Sequence, residues 1–228
     1  MYFPFFMGRS FLLLIPALIL AIYAQSKVRS TYQRYARIRP KSGATGREVA
    51  RSLLNSYGLG NVAIEEVSGA LTDHYDPRKK VLCLSNDISR GSSLSALGVA
   101  AHEAGHAVQD GMSYFPLYIR NSIVPMANFG TMLAFPLFFI GFLFRGPILM
   151  NIGILLYCGA VVFSVLTLPV EFNASKRALA MLKGGGFLDE GEIPHARQVL
   201  RAAALTYVAA AAMAVMQLIR LILLRSRR

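Results

Sequence analysis

Residues 98–111 read GVAAHEAGHAVQDG. His102 and His106 are four positions apart, so on a helix they stand one turn apart on the same face. Two imidazoles in that relation can reach one metal ion, and His102-Glu103-x-x-His106 is the HExxH arrangement. Glu103 leaves the helix about 100° round from His102. Its carboxylate can therefore approach a water on the metal without being a ligand. These residue types suit hydrolysis. Zinc takes neutral imidazole nitrogen and lowers the pKa of a bound water to about 7. A neighbouring carboxylate takes the proton as that water attacks a carbonyl, then delivers it to the leaving amine. The competing reading is a helix with two surface histidines; it is weakened because two of the chain's four histidines fall in this one pentad.

Catalytic zinc generally has three protein ligands and one open position. A metzincin would carry its third histidine at position 112, which is Met112, and Asp110 does not fit the usual patterns. The candidate is Glu171 in LPVEFNASKRAL (168–179), where an apolar run gives way to polar residues. On a continuing helix Glu171, Ala174 and Ser175 share a face, so Ser175 can hydrogen-bond a ligand. Asp189, Glu190 and Glu192 are the carboxylates to consider if Glu171 is not the third ligand. Ala104 and Gly105 lack bulk, which lets another element approach the histidine helix. That helix has Ser92 or Ser93 as its N-cap and ends at Gly111.

The surrounding elements are built for lipid. Crossing a bilayer as a helix takes roughly 20 apolar residues. Four runs qualify, at 2–24, 123–144, 147–170 and 202–224. Only Arg145 and Gly146 separate the second from the third, which predicts a tight hairpin of spans. Arg220, near the end of the fourth, is expected to snorkel to the interface. A signal peptide cleaved after Ala24 is the rival for the first run. The length of that run and its single charge, Arg9, favour a retained span. Two polar segments remain, 25–121 and 171–201. The larger reads as a basic linker, a helix over Thr45–Tyr57, and a turn followed by a strand over Lys80–Ser85. That strand could receive extended substrate by β-augmentation. The smaller is a third-ligand helix and linker, with a break at KGGG, Lys183–Gly186. The fold class is mostly α and integral to the membrane. About four transmembrane helices carry a zincin-like cytoplasmic metallopeptidase unit with a short strand or small sheet.

Of 228 residues, 54% are hydrophobic and 16% charged, with a net charge of +12. Thirteen Lys and Arg lie in 25–121, five in 171–201, and one between the second and third spans. The positive-inside rule then places both polar segments, and the active site, in the cytoplasm of an inner-membrane protein. The tail RSRR runs against that assignment. No RNP, zinc-finger or P-loop pattern occurs, so nucleic acid is not an expected partner. Cys83 and Cys158 are far apart and argue against a disulfide framework.

HEAGH followed far downstream by E-x-x-A-S resembles the gluzincin membrane peptidases of the CaaX-protease and HtpX group, which carry E-x-x-A-D. DHYDP, AAHEAGHAVQ, PVEFNASKRAL and AALTYVAA together resemble the YugP-type neutral zinc metallopeptidases of bacterial membranes, from about Tyr32 to about Ala210. The resemblance implies a zinc endopeptidase with His102, His106 and Glu171 as ligands and Glu103 as general base. Its partners would be the lipid bilayer and peptide or protein substrates, membrane-anchored ones among them. A regulatory membrane partner would leave no signature in such motifs. Ser175 departs from the aspartate of the CaaX and HtpX pattern and lacks its charge. Three residues have two readings each. His74 contacts substrate or oxyanion, or satisfies hydrogen bonds of its turn. Tyr207 stabilises the oxyanion, or is an interfacial tyrosine at a span. Arg120 is a functional cation, or marks the start of the second span. His195, after Pro194, reads as structural. The alternative function is a catalytically silent membrane scaffold that keeps the metallopeptidase fold; such a scaffold has no need of Glu103.

Overall fold

The computed structural model describes residues 10–69 and 72–226, so residues 2–9 of the first expected span and the last two arginines of the tail lie outside it. A 3₁₀ turn, Phe11–Leu14, leads into α1 (Ile15–Tyr35). Then follow α2 (Gly46–Ser56), β1 (Ala63–Val67), β2 (His74–Asp76), β3 (Val81–Ser85), α3 (Asn86–Ser89), α4 (Leu94–Gly111), α5 (Phe115–Leu143), α6 (Pro147–Gly184) and α7 (Ile193–Ser226). Among the described residues, four helical segments are long and apolar enough to cross a membrane: Phe11–Tyr35, Phe115–Leu143, Pro147–Gly184 and Ile193–Ser226. The described protein is thus mostly helical with one small sheet. Helices α6 and α7 extend well beyond the apolar runs read from the sequence. Hydropathy changes at Glu171 and Ala202, but the flanking residues are good helix formers. The backbone therefore continues where the side chains change character.

The chain divides into two units. The apolar unit comprises residues 10–25, 119–169 and 205–226. Here α5 and α6 form the expected hairpin, with Arg145 in the left-handed region at φ 55°. Glycines let the two helices touch: a Cβ on Gly153 would meet the Ala134 carbonyl oxygen at 2.7 Å, and one on Gly130 would meet that of Leu156 at 2.8 Å. Phe138, Met150, Tyr157 and Leu221 pack at the centre. The Arg220 side chain is buried within the unit, with the guanidinium 5.8 Å from the centroid of the Phe11 ring and Nη1 3.5 Å from Gln217 Oε1. An aromatic face and an amide of the preceding turn of α7 thus lie beside the charge.

The polar unit comprises residues 26–118 and 170–204. Thr45 caps α2 through a capping box with Glu48, which fixes where that helix starts. The sheet order is β1-β3-β2; β1 runs parallel to β3 and β2 antiparallel to it. Strand β3, with its apolar sequence VLCLS, is central and buried. This corrects the expectation that it receives substrate: both of its edges are already hydrogen-bonded, so only β1 and β2 have an edge to offer. Leu82 and Leu84 of β3 join Val49 and Leu54 of α2, Leu94, Leu97 and Ala104 of α4, Leu182 of α6 and Leu200 of α7 in one core. Cys83 and Cys158 are free thiols.

Candidate metal centre

Helix α4 is capped by Ser93, whose Oγ accepts from Ala96 N at 3.1 Å. This decides between the two serines. Its sequence, LSALGVAAHEAGHAVQDG, is so rich in alanine and glycine that most of the helix is buried. Gly105 brings α6 against it. A Cβ at Gly105 would stand 2.9 Å from the Ala174 carbonyl oxygen, so the two backbones meet where a side chain would otherwise intervene. Glu171 is three residues before Ala174, on the turn of α6 that faces the histidines. The far end of α4 is held by Asp110, which accepts from the Tyr75 hydroxyl of β2 at 2.7 Å and from Lys80 Nζ at 2.5 Å. Asp110 is thereby engaged away from the histidines. Burial, then Asp110, pushes the Tyr75 hydroxyl well above its ordinary pKa, which keeps it the donor in that pair.

His102 Nε2 lies 3.2 Å and His106 Nε2 3.5 Å from Glu171 Oε2. One ligand atom from each of the three residues falls within 4.8 Å of the others. The imidazoles are edge to face, with centroids 4.8 Å apart. The Glu171 side chain is only 4% exposed, and those of His102 and His106 are 12% and 11% exposed. Two imidazole nitrogens and one carboxylate oxygen converging in a buried place are the donor set that catalytic zinc takes. Among the described residues, this is the group whose donors could hold a metal ion.

The remaining nitrogens of the two histidines are also engaged. His102 Nδ1 is 3.2 Å from Ser175 Oγ, so Ser175, one turn beyond Glu171, touches a candidate ligand. His106 Nδ1 is 3.0 Å from Gln109 Oε1. Gln109 is fully buried, and the motif reading gave it no role. The available signal was a lone amide one turn after His106 on a helix otherwise made of small residues. Glu103 is buried at 9% exposure. Burial disfavours the charged imidazole of His106, but this is outweighed. The Glu171 contact, the charges of Glu103 and Glu171 and the Gln109 contact hold the His106 pKa above its ordinary value.

The other candidates fall elsewhere. His74 is the first residue of β2 rather than part of the turn, and its exposed ring donates from Nδ1 to the Thr72 carbonyl at 2.8 Å. Tyr207 lies on α7 within the apolar unit. Asp189 pairs with Lys41 at 2.6 Å, Glu192 accepts from the Lys41 amide at 2.8 Å, and Glu190 pairs with Lys183 at 2.7 Å. His195 stands 5.2 Å from the Tyr35 ring. Arg120 is on α5, half-buried.

A helical membrane protein that gathers two histidines of one helix and a glutamate of another into a buried triad has the framework of a membrane metallohydrolase. The chain belongs to the family described as "Putative neutral zinc metallopeptidase", whose model matches residues 10–226. It is 45% identical over 213 residues to the "Putative membrane protease YugP" of Bacillus subtilis (strain 168), an alignment that covers 93% of this chain and 94% of that protein. The resemblance read from the motifs therefore extends over nearly the whole chain. No solved structure matches it.

Proposed function

We propose that the chain is a zinc-dependent membrane endopeptidase in which His102, His106 and Glu171 hold the metal and Glu103 is the general base. The observation that carries this reading is the convergence of three donor atoms within 4.8 Å, on the two helices that the family motifs predict. Zinc held there would supply a Lewis acid and a water acidified to near neutrality. The protein's own part is proton handling and exclusion of solvent. Glu103, buried beside the triad, takes the proton of the attacking water and returns it to the leaving nitrogen. Ser175 and Gln109 hold the two imidazoles from behind.

The substrates are peptides or proteins, membrane-anchored ones among them. Support for this comes from α6, which carries Glu171 directly after the apolar run 147–170. An extended substrate would add to the free edge of β2 rather than to β3. The excess of Lys and Arg in the two polar segments supports a cytoplasmic active site. The decisive experiment combines metal analysis with peptide-library profiling of the wild type and Glu103→Gln. One zinc per chain and cleavage that disappears in the variant are expected. A zinc-loaded wild type that cleaves nothing would instead favour the silent scaffold. Full zinc occupancy in Glu171→Ala would overturn the ligand set.

A further inference from the structure

The side chains behind His106 form a chain of hydrogen bonds whose polarity can be deduced from one end. Arg177 is a donor only. Its Nε lies 2.8 Å from Asn173 Oδ1, so the atom that Asn173 presents there is an oxygen. Gln109 meets that same oxygen at 3.0 Å and the Val170 carbonyl oxygen at 2.8 Å. Both are acceptors, so Gln109 must present its NH₂ to them. Its Oε1 is then the atom turned toward His106, at 3.0 Å. An amide oxygen only accepts, so His106 Nδ1 carries the proton. In the neutral ring that leaves Nε2 with its lone pair, on the side of Glu171.

The residue type follows from this pattern. Position 109 must accept once and donate twice. A carboxylate there would face two oxygens with no proton to offer, and asparagine is one methylene shorter. Val170 and Asn173 flank Glu171 on α6, so the single buried amide also ties the backbone around that carboxylate to α4. His102 differs. Its Nδ1 neighbour is Ser175 Oγ, and a hydroxyl can donate or accept, so that contact leaves the tautomer open.

Resting on the zinc-site reading above, we propose that Gln109 is a positioning residue. It commits His106 to the Nδ1–H tautomer and locks the α4 and α6 ligands together, with Arg177 setting the polarity through Asn173.

The test uses full-length protein in lipid nanodiscs. The first arm reads the wild-type protein without metal, and a variant serves only to assign the signals. Histidine labelled with ¹⁵N reports which ring nitrogen is protonated at a pH where the imidazole is neutral, and His106 is assigned by the signals lost in His106→Gln. A proton on Nδ1 is expected; one on Nε2 would overturn the proposal. The second arm measures zinc affinity by chelator competition and the visible spectrum of the cobalt-loaded protein. Gln109→Met should weaken zinc about ten- to hundredfold and alter the cobalt bands. Asn173→Asp, which keeps the oxygen, should stay within about twofold of wild type. Wild-type affinity and an unchanged cobalt spectrum in Gln109→Met would leave Gln109 as packing only and sink the idea. Should Gln109→Met fail to fold, Asn173→Leu replaces it, with a loss of zinc affinity expected and none refuting. The two readings fail separately. A wild type that binds no zinc but shows Nδ1–H refutes the metal centre alone. One that binds zinc with the opposite tautomer refutes the positioning role alone.

Discussion

Adding one methyl group at Gly105 should separate folding from metal binding. In Gly105→Ala the new Cβ would lie 2.9 Å from the Ala174 carbonyl oxygen, whereas ordinary contact begins near 3.4 Å. Helix α6 must therefore give way by about 0.5 Å at that point, because backbone cannot rotate aside as a flexible side chain can. Glu171 is one turn away and moves with it. Zinc sites keep ligand distances within about 0.2 Å of ideal, so a displacement of this size exceeds what the triad can absorb unchanged. On folding, two effects oppose each other. Replacing glycine inside a helix stabilises by about 0.5–1 kcal/mol, and overpacking costs about 1–3 kcal/mol. The net is a loss of roughly 0–2.5 kcal/mol. Zinc affinity should fall by about tenfold or more, equivalent to at least about 1.4 kcal/mol. Gly98→Ala is the control on the same helix, because a Cβ there meets nothing within 4 Å. It should gain the propensity term and leave zinc unchanged. Chelator competition and thermal melting with and without chelator measure both quantities. Wild-type zinc affinity in Gly105→Ala, or equal losses in the two variants, would refute the close-approach argument.

Other outcomes follow from the same geometry. Glu103→Gln keeps size and removes the base, so it should retain zinc while turnover falls about 10²–10⁴-fold; loss of zinc would make Glu103 a ligand. The apparent affinity for zinc should weaken as pH falls, starting above the ordinary histidine pKa. The His106 pKa is raised, so protons compete for that nitrogen earlier than for a free imidazole. Measuring the zinc dissociation constant by chelator competition against pH checks this, and an affinity that is flat with pH until below the ordinary histidine pKa would contradict it. In a background lacking Cys83 and Cys158, a membrane-impermeant thiol reagent applied to intact cells should miss a cysteine placed at Gly43 or Gly185 and label one at Gly146. Labelling at Gly43 from outside would invert the topology.

The histidine helix was legible because everything that defines it is local: a serine cap, a 3.6-residue periodicity and a terminal glycine. Glu171 was legible for a different reason, the abrupt change from apolar to polar at Val170. Gln109 was not. Its function depends on Val170 and Asn173, more than sixty residues away in the chain, and the one local hint, an amide one turn after His106, does not say what that amide faces. The strand VLCLS is legible as extended, but its place at the centre of the sheet is not. An apolar run of that length fits an edge or a centre equally well, and the pairing partners decide. The apolar runs are shorter than the helices that contain them because hydropathy reports the medium around a side chain, whereas the backbone responds to propensity. The Phe11 ring beside Arg220 is a tertiary fact of the same kind.

The small-residue character of α4 constrains how this gene can drift. Ala100, Ala101 and Ala104 are fully enclosed and Ala107 nearly so. Of the single-base changes in an alanine codon that alter the amino acid, all but the one to glycine yield a larger residue. Random mutation at these positions therefore pushes almost always in the direction the packing resists. The flanks of the pentad should thus collect inactivating alleles far more readily than an exposed helix of the same length. A saturation-mutagenesis survey would see, around His102 and His106, intolerance at alanines that carry no chemically active side chain.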